Sequence, residues 1–346
     1  MKKKLAIVTT HPIQYYAPLF RELARSESIE IKVFYTKGEP EIVQFEPDFG
    51  TSIAWDIPLL EGYDFQFLEN VGKKSVGFWS ISNPRLIAEI ENWDANSILV
   101  FGWSYQSHLN VMRHFKGKIP VLFRGDSTLL DEKWGLKTAI RRIFLKLIYR
   151  FVDKALYVGI ENKKYFIKHG LRENQLVFAP HAIDNERFYD FDGEYARKAA
   201  SWRLELGIFA DDIVVLFVGK FYDKKNPKVL IGAFRSLNLL KVHLIFVGNG
   251  PLENQIKSES NSDSKIHFID FQNQSKMPIV YKIGDIFCIS SHSETWGLAV
   301  NEAMASGCAV LVSNKCGCAS NLVENGQNGF VFEYNNERQL SMYISQ

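Results

Sequence analysis

The 346-residue chain has few cysteines, no long apolar run and almost no net charge, and each shortage excludes a class of protein. Its four cysteines are Cys288, Cys308, Cys316 and Cys318. Cys316-Gly-Cys318 is too tight for the usual zinc spacing, and no histidine follows at a ligand interval. The four are therefore expected to be reduced thiols in a cytoplasmic protein. No stretch of about 18 apolar residues occurs, so no membrane span is expected. Behind Met1-Lys-Lys-Lys4 the apolar stretch is only Leu5-Ala-Ile-Val8 before polar residues and His11-Pro12, so no secretory leader is expected. A net charge of +2 implies no nucleic-acid partner. With 46% hydrophobic and 23% charged residues the chain can build packed cores, and its length suffices for two ordinary domains.

What is present is densest between Asp285 and Gly307. Asp285-Ile-Phe-Cys-Ile-Ser290 reads as a buried strand. A polar turn follows, then a helix ending at Gly307, a natural residue for the left-handed position past a helix end. Strand, turn and helix N-terminus together form an anion site. The amides of Trp296, Gly297 and Leu298 are expected to be unpaired there, and the helix dipole favours negative charge. Glu294 stands at the mouth of that site and Glu302 about a turn and a half up the helix. A carboxylate beside an anion pocket suits sugar hydroxyls, so the pair reads as two hydroxyl-binding groups flanking a diphosphate.

The rest of the chain repeats a strand–helix alternation. Leu5–Thr10 and Ile29–Tyr35 read as strands around a helix, a β-α-β opening that predicts a parallel sheet. Ligands bind such sheets at the strand-to-helix turns. The first turn is His11-Pro-Ile-Gln14; His11 either faces the site or is satisfied by the turn backbone. Residues 37–80 are irregular, a length more typical of functional segments than of connections. Ser97–Phe101 and Pro120–Phe123 are the next strands, with Arg124-Gly-Asp126 at the end of the second. Asp126 reads either as a group facing a site at that strand end or as an ordinary turn residue. Lys137–Lys154 is expected to be a helix with Ile140, Phe144, Leu147, Ile148 and Phe151 on its core side. Arg142, Lys146, Arg150 and Lys154 then form one outer stripe. That stripe is either a solvated face or a contact with an anionic membrane surface. Asp190-Phe-Asp192 follows no buried strand, so no metal role is expected. In the second half, Ile213–Gly219 runs into Lys220 and Lys225, two cations at a strand end that suit two phosphates. His243–Gly248 leads into Gly248-Asn-Gly250-Pro251.

Glu294-x7-Glu302 followed by Ala303-Met-Ala-x-Gly307 resembles the nucleotide-sugar site of family 4 of the retaining glycosyltransferases. Gly219, Lys225, the Gly248-x-Gly250-Pro251 turn, the Pro180-x-x-x-Asp184 exit and Asn325–Glu333 follow the same pattern. Lys220 stands where that family has Arg. The resemblance covers the whole chain, closely over 213–333 and loosely over 1–184. It implies an α/β GT-B fold, two Rossmann-like domains facing each other across a cleft. Residues 1–184 are the expected acceptor domain and 185–346 the expected donor domain, with the hinge at 181–194. Relatives usually continue past the point equivalent to Gln346, so shortened C-terminal helices are expected.

The implied activity is retaining hexosyl transfer from a nucleoside-diphosphate sugar, UDP first among nucleotides, to a glycan or lipid-linked glycan in cell-surface polysaccharide assembly. No cofactor or metal is implied. Lys220, Lys225 and the amides of Trp296, Gly297 and Leu298 would stabilise the leaving diphosphate. Glu294 would orient the transferred sugar, Glu302 would hold the ribose, and Gly219 and Gly250 would approach the donor. His11, Arg124 and Asp126 are the acceptor-side candidates. The expected location is cytoplasmic, free or peripheral on the inner face of the plasma membrane. A GT-B sugar-nucleotide epimerase and a non-catalytic sugar-nucleotide binder are the alternatives.

Overall fold

A computed structural model describes residues 2–39, 44–46, 51–73, 76–237, 239–260 and 263–346, with backbone alone at 44–46 and 51–53. The chain divides into two compact units. The first comprises Met1–Ile42 and Pro58–Ala182; the second comprises Val43–Ile57 and Ile183–Gln346. The expected change at 184 to 185 thus falls at 182 to 183, and a short piece of the first half groups with the second unit.

Strands β1 (Lys3–Thr9) and β2 (Ile29–Tyr35) are followed by a small antiparallel pair, β3 (Gln44–Glu46) and β4 (Thr51–Ile53). Then come β5 (Asp64–Phe67), β6 (Ser97–Phe101), β7 (Val121–Arg124), β8 (Lys154–Tyr157) and β9 (Leu176–Phe178). The first unit's sheet has the order β5-β2-β1-β6-β7-β8-β9, every pair parallel. The second unit holds β10 (Ile213–Val218), β11 (Val242–Val247), β12 (Ile266–Ile269), β13 (Ile286–Ile289), β14 (Ala309–Ser313) and β15 (Gly329–Phe332). Its order is β12-β11-β10-β13-β14-β15, again all parallel.

Helices cover both faces of such sheets, which is why the strands read as unbroken apolar runs. Val214, Val215, Leu216 and Phe217 of β10 are all buried. One core of the first unit packs Phe123, Tyr149 and Phe166 ring to ring, with centroids 5.6–6.0 Å apart. The other face holds Ile7, Phe20, Val33 and Tyr35. In each sheet the strand order reverses once, between β1 and β6 and between β10 and β13. Open α/β sheets bind ligands beyond the strand ends at such reversals. His11 follows β1, Gly219 and Lys220 follow β10, and Glu294 follows β13.

Several sequence expectations are corrected. The 37–80 stretch contains β5, which extends the first sheet through Lys32↔Asp64 to Tyr35↔Phe67; its portions at 40–43, 47–50 and 74–75 lie outside the described residues. The expected hinge carries a short helix, Asn185–Phe188, and a longer one, Glu194–Glu205, begins at its end; Asp190 and Asp192 precede the longer helix. Asp190 accepts the amides of Tyr195 and Ala196, and Asp192 that of Glu194, so both carboxylates satisfy its first turn.

The basic helix is Leu136–Tyr149, and its buried face is only partly the one expected: Ile148 is in the core and Phe151, just past the helix end, packs against it. Leu145, Ile148 and Tyr149 are buried, whereas Ile140, Phe144 and Leu147 are exposed. Apolar residues occur on both sides of this helix, so periodicity alone had two solutions. The Phe123–Phe166 cluster takes the Tyr149 side. The cationic stripe is also broken. Arg142 pairs with Glu132, and Lys154 lies in β8, donating to the Asn174 carbonyl at 2.7 Å.

The ends of β10 and β11 touch backbone to backbone. At Gly248, with φ of 138°, an added Cβ would meet the Gly219 carbonyl oxygen at 2.1 Å. Gly248→Ala combines a left-handed penalty with overpacking and should cost roughly 2–4 kcal/mol. Thermal unfolding of the second unit should therefore fall by about 5 °C or more. An unchanged Tm would show that these loops yield without cost.

Candidate functional site

In the second unit, two strand-end turns are laced together. The turn after β10 runs through a 3-10 turn, Asp223–Lys225, into helix Pro227–Arg235. The turn after β13 leads to helix Leu298–Ala305. Ser290 Oγ lies 3.0 Å from the Lys225 carbonyl and 2.9 Å from that of Asn226, and the His292 amide donates to Lys224 at 3.0 Å. Lys225 and Glu294 close the lacing with an ion pair whose side chains are only about one-fifth exposed. Burial works against the Lys225 charge, but the Glu294 carboxylate outweighs it and raises the lysine pKa. Behind Glu294, its amide donates to Lys315 and its carbonyl accepts from Gly317. The Trp296 carbonyl accepts from Cys318 in the same way.

Helix Leu298–Ala305 begins at Gly297, with φ of 101°, and ends in the motif expected at Gly307. The Cys308 amide donates to Ala303 and the Gly307 amide to Met304, the paired bonds of a Schellman cap. At the other end, the amides of Gly297 and Leu298 have no acceptor among the described residues. Trp296 is buried, its indole N–H donating to Asn301 at 2.9 Å. Lys220 and Gly250 stand at the ends of β10 and β11, where the Phe221 amide donates to Asn249 at 2.9 Å.

Glu302, 17% exposed, points into the unit. It accepts from the Tyr281 hydroxyl at 2.7 Å and lies 4.0 Å from Arg187. Burial raises its pKa, and Tyr281 and Arg187 offset that only in part. Arg187 also donates to Gln274 at 3.0 Å. The residues on either side of Gln274 are held too. Asn273 donates to the Ala54 carbonyl at 2.6 Å, and Ser275 bonds the Asp56 carboxylate through its amide at 3.0 Å and its hydroxyl. The loop after β12 is thus tied at three consecutive positions.

In the first unit, Tyr15 and Tyr16 meet edge to face at 4.5 Å, and Tyr16 stacks with His181 at 6.4 Å. Burial, reinforced by the Asp126 charge, pushes Tyr15 up to about 12. Burial and then Arg124 push His181 down to about 3, so the ring is neutral. His11 Nδ1 lies 2.8 Å from Thr10 Oγ1, and burial followed by Lys37 lowers its pKa. Arg124, expected on the substrate side, is 5% exposed and donates to the carbonyls of Ala179 at 2.7 Å and Pro180 at 3.3 Å. Its fork holds the chain's own exit segment.

The structure therefore brings Lys225, Glu294, Gly297 and Leu298 onto adjoining turns, sets Glu302 deeper on the same helix, and turns Arg124 to backbone. Sequence reasoning missed Tyr281, Arg187, Tyr15, Tyr16 and His181. The one available signal was a tyrosine beside Lys282 in the mostly apolar Ile279–Ile283. All four cysteines are buried as free thiols, and burial raises the pKa of each. Among the described residues no three His, Cys, Asp or Glu side chains group to hold a metal ion.

Residues 199–346 match the family model for Glycosyl transferases group 1. The chain is 27% identical over 207 residues to a D-inositol 3-phosphate glycosyltransferase of Nocardia farcinica (strain IFM 10152), covering 55% of this chain and 44% of that protein. It is 26% identical over 214 residues to the UDP-Gal:alpha-D-GlcNAc-diphosphoundecaprenol alpha-1,3-galactosyltransferase of Escherichia coli, covering 56% and 53%. The matched stretch spans about half the length of these curated relatives. Anabaena Alr3699/HepE in complex with UDP and glucose aligns with a TM-score of 0.68 at 18% identity, over 99% of this chain and 89% of that one. The two parallel sheets and this likeness identify the fold as GT-B, with two Rossmann-like domains.

The raised pKa of Glu302 carries a sign. The folded state holds the proton more tightly than the unfolded state, so the group's contribution to stability is full below about 4.3, the unperturbed value, and is lost as pH rises through the folded pKa. At neutral pH the carboxylate is a burden on the fold. Glu302→Gln keeps an oxygen for the Tyr281 hydroxyl and removes that charge. Its Tm should exceed the wild-type value at pH 7.5, the difference vanishing towards pH 4.5. A Tm below wild type at pH 7.5 would mean that Arg187 depends on the charge.

Proposed function

We propose that the protein is a retaining glycosyltransferase that moves a sugar from a nucleoside-diphosphate sugar to a hydroxyl of a glycan or lipid-linked glycan. The observation that carries this reading is the pair of acceptor-free amides, Gly297 and Leu298, beginning a helix beside the Lys225–Glu294 pair at the reversal of the second sheet. Backbone donors and a cation at a helix N-terminus suit a diphosphate. A carboxylate in the same place suits the hydroxyls of the sugar attached to it.

In this reading the donor diphosphate takes Lys225 and Lys220 while the sugar hydroxyls take Glu294, so both members of the ion pair exchange one another for ligand. Glu302, steadied by Tyr281 and Arg187, accepts from the ribose hydroxyls. The loop at Asn273–Ser275 flanks the base, and UDP is the favoured nucleotide. The bond from the anomeric carbon to the phosphate oxygen breaks as the bond to the acceptor oxygen forms on the same face. The acceptor proton passes to the leaving diphosphate. Stabilising that developing negative charge is the main catalytic task, and Lys220, Lys225 and the amides serve it without a metal. With Arg124 engaged on backbone, His11 and Asp126 are left as acceptor-side groups in the first unit. Cell-surface polysaccharide assembly on the cytoplasmic side is the setting this chemistry suits.

A thermal-shift screen with UDP, GDP and ADP comes first. A ligand at 100 times its Kd should stabilise by about 2.7 kcal/mol. Lys225→Ala and Lys220→Ala should each lower kcat/KM about tenfold or more, with EDTA leaving activity nearly intact. Loss of activity in EDTA, restored by Mn²⁺ or Mg²⁺, would overturn the metal-free route. Conversion of the donor with no acceptor present would favour an epimerase, and nucleotide binding without transfer or donor hydrolysis a sugar-nucleotide binder.

A further inference from the structure

Helix Leu136–Tyr149 presents an apolar face to solvent over most of its length. Leu136, Ile140, Ile143, Phe144 and Leu147 are 47–78% exposed, and Trp134 just before the helix is 92% exposed. At about 100° per residue these five side chains fall within roughly a 100° arc, a stripe about 16 Å long. The buried side chains Leu145, Ile148 and Tyr149 lie on the opposite side. The stripe is therefore not a poorly packed core face but a second apolar face. Lys137 and Arg141 flank it on one side, Lys146 and Arg150 on the other, and the helix holds no acidic residue. Of the acids just before it, Glu132 is paired with Arg142, leaving Asp131 as the exposed negative charge nearest in sequence. Arg142 also lies over the Trp134 ring, 5.6 Å from its centroid.

We propose that this helix, with Trp134, docks on an anionic lipid bilayer and inserts its apolar stripe at the headgroup boundary. Apolar residues flanked by cations are the pattern of a helix lying in a membrane interface. Charge selects the occupant. A second copy packed symmetrically on this stripe would bring cation against cation, whereas anionic headgroups meet cations on both flanks. No helix among the described residues is long and apolar enough to cross a membrane, so this contact is superficial. It differs from electrostatic adsorption of the basic stripe in that part of the binding is insensitive to salt, since screening with a Debye length of about 8 Å weakens the cations but not the insertion. The proposal does not depend on the transfer reaction, and neither does its test.

The test is flotation of the full chain with phosphatidylcholine vesicles, with and without phosphatidylglycerol, at 0.1 and 0.5 M salt. Flotation is expected with the anionic vesicles, reduced but retained at high salt. Trp134 emission, taken as the difference from Trp134→Phe, should shift to the blue on binding. Ile143→Glu, and separately Ile140→Ser with Leu147→Ser, should lower partitioning more than tenfold with Tm unchanged, because these side chains already face water. Lys137→Glu with Arg141→Glu should abolish the preference for anionic vesicles. Equal partitioning of wild type and Ile143→Glu, or no flotation at 0.1 M salt, would overturn the proposal. A wild-type dimer by sedimentation that Ile143→Glu dissociates, without lipid binding, would assign the stripe to a second copy instead.

Discussion

A lysine ammonium largely removed from water needs a counter-charge, and in the second unit that requirement joins two turns far apart in sequence. Lys225 ends the 3-10 turn after β10, and Glu294 lies within the turn after β13. Removing either partner of such a pair leaves the other buried and uncompensated, which typically costs about 3–5 kcal/mol. Ser290 and His292 fix the same two turns through backbone carbonyls, so the charges meet on a scaffold already in register. The Gly297 and Leu298 amides are left pointing past this scaffold. The two charges cancel one another; in the function proposed above, a ligand that supplies an anion to Lys225 and a hydroxyl to Glu294 would replace both halves of the pair without stranding either charge.

Much of this was legible in the sequence because parallel strands buried on both faces give unbroken apolar runs. Ile29–Tyr35 and Ser97–Phe101 have the ends expected of them. The helix after Trp296 and its Gly307 terminus were legible because capping is local chemistry. What failed was orientation. Arg124 sits at a strand end, as sites do, yet position says nothing of where a guanidinium points, and two carbonyls of the exit segment claimed it. Tyr15 and Tyr16 were not singled out because their aromatic partners, Phe101 and His181, lie far along the chain. Glu302 was placed on the right helix, but its hydroxyl and guanidinium neighbours were invisible to spacing.

The helix Leu136–Tyr149 shows the same limit from another side. A helix with apolar residues around much of its circumference is expected to lie deep in a core. Here one apolar arc meets the Phe123 and Phe166 rings and the other meets solvent. Periodicity reports that a face exists. Only the sheet it packs on decides which face is inside, and the remaining one then stands out as a surface needing a partner.

The piece of chain at Val43–Ile57 that groups with the second unit makes that unit discontinuous. Ala54 and Asp56 take the Asn273 and Ser275 donors across 219 residues of sequence. Recombination that swaps the C-terminal half alone, whether by evolution or by design, therefore transplants an unfinished module. It carries the loop after β12 but not the strap that holds it. During synthesis the same strap leaves the ribosome long before its docking loop exists, so this corner of the second unit stays open until 219 further residues have been made.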